Sequence, residues 1–150
     1  MILDKVAPQH VDPKELQHLI SVSTGFIDAY IIECHEHDPM LIPQNIVLSA
    51  QNTRLPAKTV VWHDVSLAVY AVNSPTLKDG IALIIEGDEI QQRFALVCDR
   101  MPESVRLRIS EVVDDDVHIE AENNVFQYVY SQGKRYFIPN LDAIQTQLGL

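Results

Sequence analysis

The sequence predicts a mainly β protein, folded as a barrel or a sandwich. From residue 26 onward it alternates short runs rich in Val, Ile, Tyr and Phe with segments rich in Pro, Gly, Asp and Asn. The first kind of run is typical of strands and the second of turns. Roughly eight to ten strands at this spacing favour an all-β architecture over an alternating α/β fold.

Length and composition indicate one soluble-type domain. The chain has 150 residues, of which 47% are hydrophobic and 21% charged. A chain of this size can bury a core without disulfides or metals. Cys34 and Cys98 lie far apart inside apolar runs, so we expect reduced core thiols rather than a disulfide.

Charge excludes some classes of partner. Acidic residues number 21 against 11 basic ones, for a net charge of −10. Such a chain repels a phosphate backbone and an anionic membrane surface, so nucleic acid and direct membrane insertion are not expected. No secretory signal pattern and no run of about 18 apolar residues is present, so we expect a cytoplasmic protein.

Residues 1–25 predict an N-terminal helical extension. Asp12 is placed as an N-cap, Pro13 occupies the first helical position, and Glu15 can close a capping box. The apolar stripe of this helix consists of Leu16, Leu19 and Ile20. A helix this short is marginal alone, so the stripe is expected to dock, either on the domain or on a partner.

The elements after residue 25 follow in chain order. The strand-like runs are FIDAYIIEC, MLIPQNIVLSA, TVVWHDVSLAVYAV, IALIIEG, RFALVCD, SVRLRI, VHIEA, VFQYVYS and KRYFIP. The turns and loops between them are HEHDP, NSPTLKDG, GDEIQQ, DRMPE, VDDD and SQGK. The chain closes with NLDAIQTQLGL, which predicts a short helix capped by Asn140 and ended by Gly149.

The segment ECHEHD, residues 33–38, contains residue types that bind metals. On an extended chain His35 and His37 face the same side and could chelate one ion. The remaining ligands would have to come from elsewhere, such as His63 or His118. The other interpretation is a polar hairpin turn, because zinc sites usually show a second ligand cluster at matched spacing.

Other motifs do not predict catalysis. The acidic run in residues 113–122 lacks the alternation and the glycine of a calcium loop, so it indicates a solvated turn. His63, Asp64 and Ser66 are close in sequence, but no strained nucleophile turn surrounds the serine. The sequence also lacks a Gly-rich phosphate loop and a zinc-protease motif, so no enzyme is predicted.

Two features suggest contacts with another protein. In DRMPE, Asp99 can bond to the local backbone and Pro102 fixes its own φ, which predicts a rigid corner between strands. Met101 in that corner either adapts to a partner or folds back onto the end of a barrel. Trp62 is either core packing or an interface anchor.

The order of these segments resembles the CheW-like adaptor family of bacterial chemosensory systems, in particular the divergent ChpC branch associated with type IV pili. MLIPQNIVLSA is similar to an early strand pair of that family, and RFALVCDRMPESVRLR to its strand, corner and strand. GKRYFIPNLDAI resembles the terminal strand and helix. The resemblance covers about residues 26–147. The chain differs from the family pattern at Lys58, Ala68 and the His63 and Asp64 pair, where the family has glycine, proline and Arg-Gly.

The resemblance implies two small five-stranded Src-homology-like barrels packed together in a domain of residues 26–150, with short helices at both ends. It implies a non-enzymatic scaffold that links the cytoplasmic tip of a chemoreceptor to a CheA-type histidine kinase. The residues it implicates in partner binding are Lys58, Val60, Trp62, His63 and Asp64, near the groove between the barrels, and Met101, near a second contact. No cofactor is implied. The alternative from the residues alone is a small metal-binding β protein or enzyme that uses His35 and His37.

Overall fold

The structure, a computed structural model, describes residues 25–115 and 124–150. The helix predicted in the N-terminal extension lies outside the described residues. The same is true of the run VHIEA and of His118 within it.

Eleven strands and one helix make up the described residues. The strands are β1 (Phe26–Ile32), β2 (Met40–Pro43), β3 (Val47–Arg54), β4 (Thr59–Trp62), β5 (Val65–Ala71), β6 (Asp79–Ile85), β7 (Phe94–Cys98), β8 (Glu103–Arg108), β9 (Val112–Asp115), β10 (Val125–Ser131) and β11 (Lys134–Pro139). The helix is α1 (Leu141–Gln147). Three-residue 3-10 turns lie at Gln44–Ile46, Ile90–Gln92 and Ile109–Glu111.

The strands form two sheets. One has six strands in the order β8-β1-β2-β11-β10-β9, and the other has five in the order β3-β6-β7-β5-β4. Neighbours are antiparallel except for β2 with β11 and β5 with β7. All five residues of β7 are buried, because this strand runs through the middle of its sheet and is covered on both faces.

Each sheet curls around apolar side chains of its own. In the five-stranded sheet, β3 and β4 are the two edges, yet Gln51 Nε2 on β3 donates to the Val61 carbonyl on β4 at 3.1 Å. The two edges therefore approach each other, as in a small barrel. In the six-stranded sheet, the edge strands β8 and β9 are joined by the 3-10 turn Ile109–Glu111.

A third apolar cluster joins the two sheets. It combines Ile32 and Met40 of the six-stranded sheet with Leu83 and Phe94 of the five-stranded sheet. Ile144 of α1 is 1% exposed and packs into the same cluster. Two β units with their own cores are thus held together by a shared one, and the helix lies over the junction.

The fold prediction is confirmed in its main features. The protein is mainly β, has two sheets of five and six strands, and ends in a short helix. The Asn140 side chain accepts a hydrogen bond from the Ala143 backbone N–H at 3.0 Å, and Gly149 has a φ of +79°. Asn140 therefore caps the helix as predicted.

Two details of the sequence interpretation are wrong. The VDDD segment is not simply a turn, because residues 112–115 form β9 and pair with β10, which makes six strands where five were expected. MLIPQNIVLSA is two strands separated by a 3-10 turn, and these strands belong to different sheets. Among the described residues, no helix is long and apolar enough to cross a membrane.

Candidate interaction surface on the β4–β5 hairpin

A two-residue turn at His63 and Asp64 joins β4 to β5. Trp62 pairs with Val65 across it, and the turn residues have φ angles of 49° and 63°. Positive φ at both central residues suits the right-handed twist of a tight hairpin. The sequence predicted one continuous strand here, which is wrong. The missed signal is weak, because such turns usually contain glycine or asparagine.

Trp62 is held between a ring and a cation. The His63 ring stacks on it with centroids 4.0 Å apart and an interplanar angle of 14°. On the neighbouring loop, the Arg93 guanidinium carbon lies 5.6 Å from the centroid of the indole ring. The indole is half-buried and packs against the core of the five-stranded sheet. Both readings of Trp62 are therefore met in part, since one side packs inward and the rest is accessible.

Glu86 fixes the position of Arg93. Arg93 Nε donates to Glu86 Oε1 at 2.8 Å, and Nη2 to Oε2 at 3.3 Å. This forked pairing lowers the pKa of the Glu86 carboxyl below its ordinary value. Glu86 is anchored in turn, because its backbone N–H donates to the Ile46 carbonyl at 2.8 Å. The cation beside Trp62 thus has a defined position.

Apolar side chains around the hairpin remain exposed. Val61 is 59% exposed and Val65 53%, and both lie next to the turn. Ile90, three residues before Arg93, is 71% exposed. Exposed aliphatic groups beside a tryptophan and an arginine are typical of protein interfaces, where these two residue types contribute much of the binding energy. We call Val61, Trp62, His63, Val65, Ile90 and Arg93 the hairpin surface.

The remaining implicated residues are distributed around this surface. His63 and Asp64 are exposed at its tip. Val60 is 3% exposed and belongs to the core of the five-stranded sheet, so its side chain supports the hairpin from inside. Lys58 is exposed but lies just before the start of β4, at the opposite end from Trp62. Arg93 and Ile90, by contrast, were not singled out in the sequence, because they lie in a loop whose partner strand is not adjacent in the chain.

Met101 lies at the other end of β7. Arg93 precedes this strand and the DRMPE corner follows it, so the five residues of β7 separate the corner from Trp62 by roughly 17 Å. Met101 is 57% exposed and, with Glu33, Arg100 and Glu103, borders a pocket of about 220 Å³. The structure therefore keeps the two expected contacts apart.

The corner is fixed by a bond that the sequence analysis placed wrongly. Asp99 Oδ1 accepts from the Ser74 backbone N–H at 2.6 Å, whereas the sequence analysis expected a bond to the local backbone. Ser74 belongs to the loop after β5, which is parallel to β7 and ends at the same edge of the sheet. Asp99 therefore ties two loops together.

The His35 and His37 segment forms a turn beside the other sheet. His35 Nε2 lies 3.7 Å from Glu36 Oε1, and the His35 backbone N–H donates to the Val72 carbonyl at 2.9 Å. Within residues 25–115 and 124–150, no group of three or more His, Cys, Asp or Glu side chains is arranged to hold a metal ion. The geometry of the described residues thus adds nothing to the metal hypothesis.

Both cysteines are free thiols. Burial is the main cause that raises the pKa of Cys34 to about 12 and that of Cys98 to about 11. Thiols that hold their protons are poor nucleophiles and poor metal ligands. Both therefore act as core side chains.

Comparisons with known proteins give a likeness at the level of structure. No protein-family model matches the chain, and no curated protein matches its sequence. Solved structures do match, among them the crystal structure of the scaffolding protein TtCheW from Thermoanaerobacter tengcongensis. The alignment has a TM-score of 0.53 and 12% sequence identity, and it covers 75% of this chain and 88% of that chain. The chain therefore has a CheW-like fold.

Proposed function

We propose that this protein is a non-enzymatic adaptor that couples a chemoreceptor to a CheA-type histidine kinase. The observation that carries the proposal is the hairpin surface, an exposed group of apolar side chains around a fixed tryptophan and arginine. It lies on a fold that the chain shares with a scaffolding protein. The order of motifs that resembles CheW-like adaptors supports the same function independently.

The hairpin surface is the proposed contact for the kinase. A rigid hairpin loses little conformational freedom on binding, and a Trp62 that is already stacked needs no rearrangement. The exposed valines would gain by burial at about 25 cal/mol per Å² of apolar area. Lys58, His63 and Asp64 would lie at the rim, where charges act on specificity and association rate more than on affinity.

The DRMPE corner is the proposed contact for the receptor tip. Met101 is exposed, and a flexible thioether adapts to varied apolar partners. The separation of roughly 17 Å from Trp62 leaves room for two partners at once. The net charge of −10 would also accelerate encounter with a basic partner surface.

The finer assignment is to type IV pilus chemosensory signalling, in the cytoplasm. It rests on the resemblance of the motifs to the ChpC branch. The departures at His63 and Asp64 replace an arginine and a glycine with a histidine and an acid, which changes the electrostatics of the hairpin tip. We expect this tip to select a kinase or pilus regulator different from that of an ordinary member.

Calorimetric titration with the C-terminal regulatory domain of the CheA-type kinase from the same organism tests the kinase contact. We expect saturable one-to-one binding that weakens at least tenfold in Val65→Asp, because an exposed charge would be buried without a partner. Tyr130→Ala is the matched control, since Tyr130 is equally exposed but lies on the six-stranded sheet. Binding that is absent, or that Tyr130→Ala weakens more than Val65→Asp, would contradict the proposal.

A titration with the receptor tip separates the second contact from the first. Met101→Asp should weaken receptor binding and leave kinase binding unchanged, while Val65→Asp should do the reverse. If either variant weakened both titrations equally, the two contacts would not be distinct and this part of the proposal would fail.

A further inference from the structure

The concave face of the six-stranded sheet contains an open apolar groove of about 190 Å³. Ile27, Leu41, Leu107, Ile109 and Val112 contribute to its lining, and Asp114 is the one charged residue among those that line it. An apolar cavity of about 150 Å³ is large enough to take up benzene. The groove therefore has room for a branched aliphatic side chain.

The groove leaves apolar surface in contact with water. Leu107, Ile109 and Val112 are only half-buried, although all three pack against the core of their sheet. Covering them would be favourable by about 25 cal/mol for each Å² removed from water. The hairpin surface is on the other sheet, so the proposed adaptor contact does not cover this groove.

The chain enters the described fold at the rim of the groove. Gly25 immediately precedes β1, and its carbonyl accepts from the Ile109 backbone N–H at 3.1 Å. Ile109 itself lines the groove. Five residues separate Gly25 from Ile20, and a segment of five residues reaches at most about 18 Å. Residues upstream of Gly25 are thus tethered within reach of the groove.

The tethered segment has a sequence that matches an apolar groove. Residues 1–24 lie outside the described residues, so only their sequence enters the argument. Leu16, Leu19 and Ile20 have the spacing of one apolar helix face, and no other residues of the extension form such a stripe. A helix this short gains most of its stability from packing rather than from its own hydrogen bonds.

We propose that the groove of the six-stranded sheet binds Leu16, Leu19 and Ile20 of the same chain. The extension then acts as an intramolecular occupant, and its removal would expose a second apolar docking surface. A short tether gives a high effective concentration, which favours the segment over a free partner. The net charge of −10 opposes docking of the segment from a second copy. This inference does not depend on the proposed function.

Crosslinking of the full chain tests the proposal. One variant carries Gln17→Cys and Asp114→Cys, which place a thiol beside the stripe and another at the groove. The control variant carries Gln17→Cys and Asn52→Cys, and Asn52 is exposed on the other sheet. The native thiols interfere little, because burial raises the pKa of Cys34 to about 12 and that of Cys98 to about 11.

With a short bismaleimide and dilute protein, we expect an intrachain crosslink at least fivefold more abundant in the first variant than in the control. Equal crosslinking in both would overturn the proposal. Predominantly interchain crosslinks in the first variant would assign the groove to a second copy and would also overturn it.

Binding of the dye anilinonaphthalene sulfonate gives an independent measurement. Leu16→Ser, Leu19→Ser and Ile20→Ser together should raise dye fluorescence severalfold by opening the groove. The matched control changes Lys14, Gln17 and His18 to Ser, at the same spacing on the other side of the predicted helix, and should leave fluorescence unchanged. Equal fluorescence in wild type and the first variant would contradict the proposal. So would a rise caused instead by Val117→Ser and Ile119→Ser, which would assign the groove to that loop.

Discussion

At the residue scale, Trp62 depends on a cation that is distant in the chain. Arg93 contacts the indole and is itself held by Glu86, so three residues from two loops and a hairpin set one geometry. A sequence pattern identifies the tryptophan but not this support, because the pairing arises only when β6 and β7 bring their connecting loop against the β4–β5 hairpin. The surface is therefore a product of the fold rather than of a local motif.

The Glu86 and Arg93 pair predicts a pH-dependent contribution to stability. The pKa of Glu86 is lowered in the folded protein, chiefly by hydrogen bonding to Arg93, from an ordinary value of 4.5. The stabilisation is therefore fully present above about 4.5 and is lost as pH falls through the lower folded pKa. Glu86→Gln should be less stable than wild type at neutral pH, and the difference in unfolding free energy should shrink on acidification. Urea unfolding at several pH values measures it, and a difference that stays constant with pH would contradict the assignment.

At the element scale, the β4–β5 turn shows where sequence reasoning is limited. Strand-like runs, the rigid corner and the capped terminal helix are encoded by local composition, and the structure contains all three. The His63 and Asp64 turn and β9 are not, because each depends on pairing with a neighbouring strand that overrides the local signal. The candidate site was predicted at Trp62, His63 and Asp64, whereas Arg93 and Ile90 required the tertiary structure.

The turn predicts that a substitution can stabilise the protein. Asp64 has a φ of 63°, and a non-glycine residue in the left-handed region costs roughly 1–2 kcal/mol, somewhat less for aspartate. Asp64→Gly should raise the free energy of unfolding by about 0.5–1 kcal/mol, measured by chemical denaturation. Ser66→Gly, two residues later in β5, is the control and should lower it. A decrease for Asp64→Gly would show that its side chain makes a contact worth more than the backbone cost.

The terminal helix predicts a cap effect. The Asn140 side chain satisfies the Ala143 N–H, and its loss leaves that donor without its partner. Asn140→Ala should therefore cost about 1 kcal/mol of stability. Thr146→Ala in the same helix is the control, because Thr146 is exposed and alanine is the better helix former. The account of this helix would be wrong if the two variants had equal thermal midpoints.

At the scale of the whole molecule, the shared core makes the two sheets one cooperative unit. Ile144, Met40 and Phe94 come from the helix and from both sheets and are each 1% exposed in one cluster. Neither sheet can open without exposing this cluster, so both contacts proposed for the adaptor are set on a single rigid body. A rigid body suits a scaffold, because it fixes the distance between two bound partners.

The shared core also predicts the behaviour of the thiols. Cys98 belongs to this cluster and Cys34 packs against it, and burial raises the pKa of both. A thiol reagent at pH 8 should modify both slowly in folded protein and rapidly after denaturation. Rapid modification of either thiol in the folded state would show that the cluster opens locally, without unfolding of the whole protein.

The most direct test of the central claim is to map the kinase contact on this protein by hydrogen exchange in the complex. The account predicts that the regulatory domain slows exchange in peptides covering residues 59–66 and 90–93, and leaves β8 and β9 unchanged. Protection confined to the six-stranded sheet, with exchange in the hairpin unaltered, would contradict the assignment of the hairpin surface as the kinase contact.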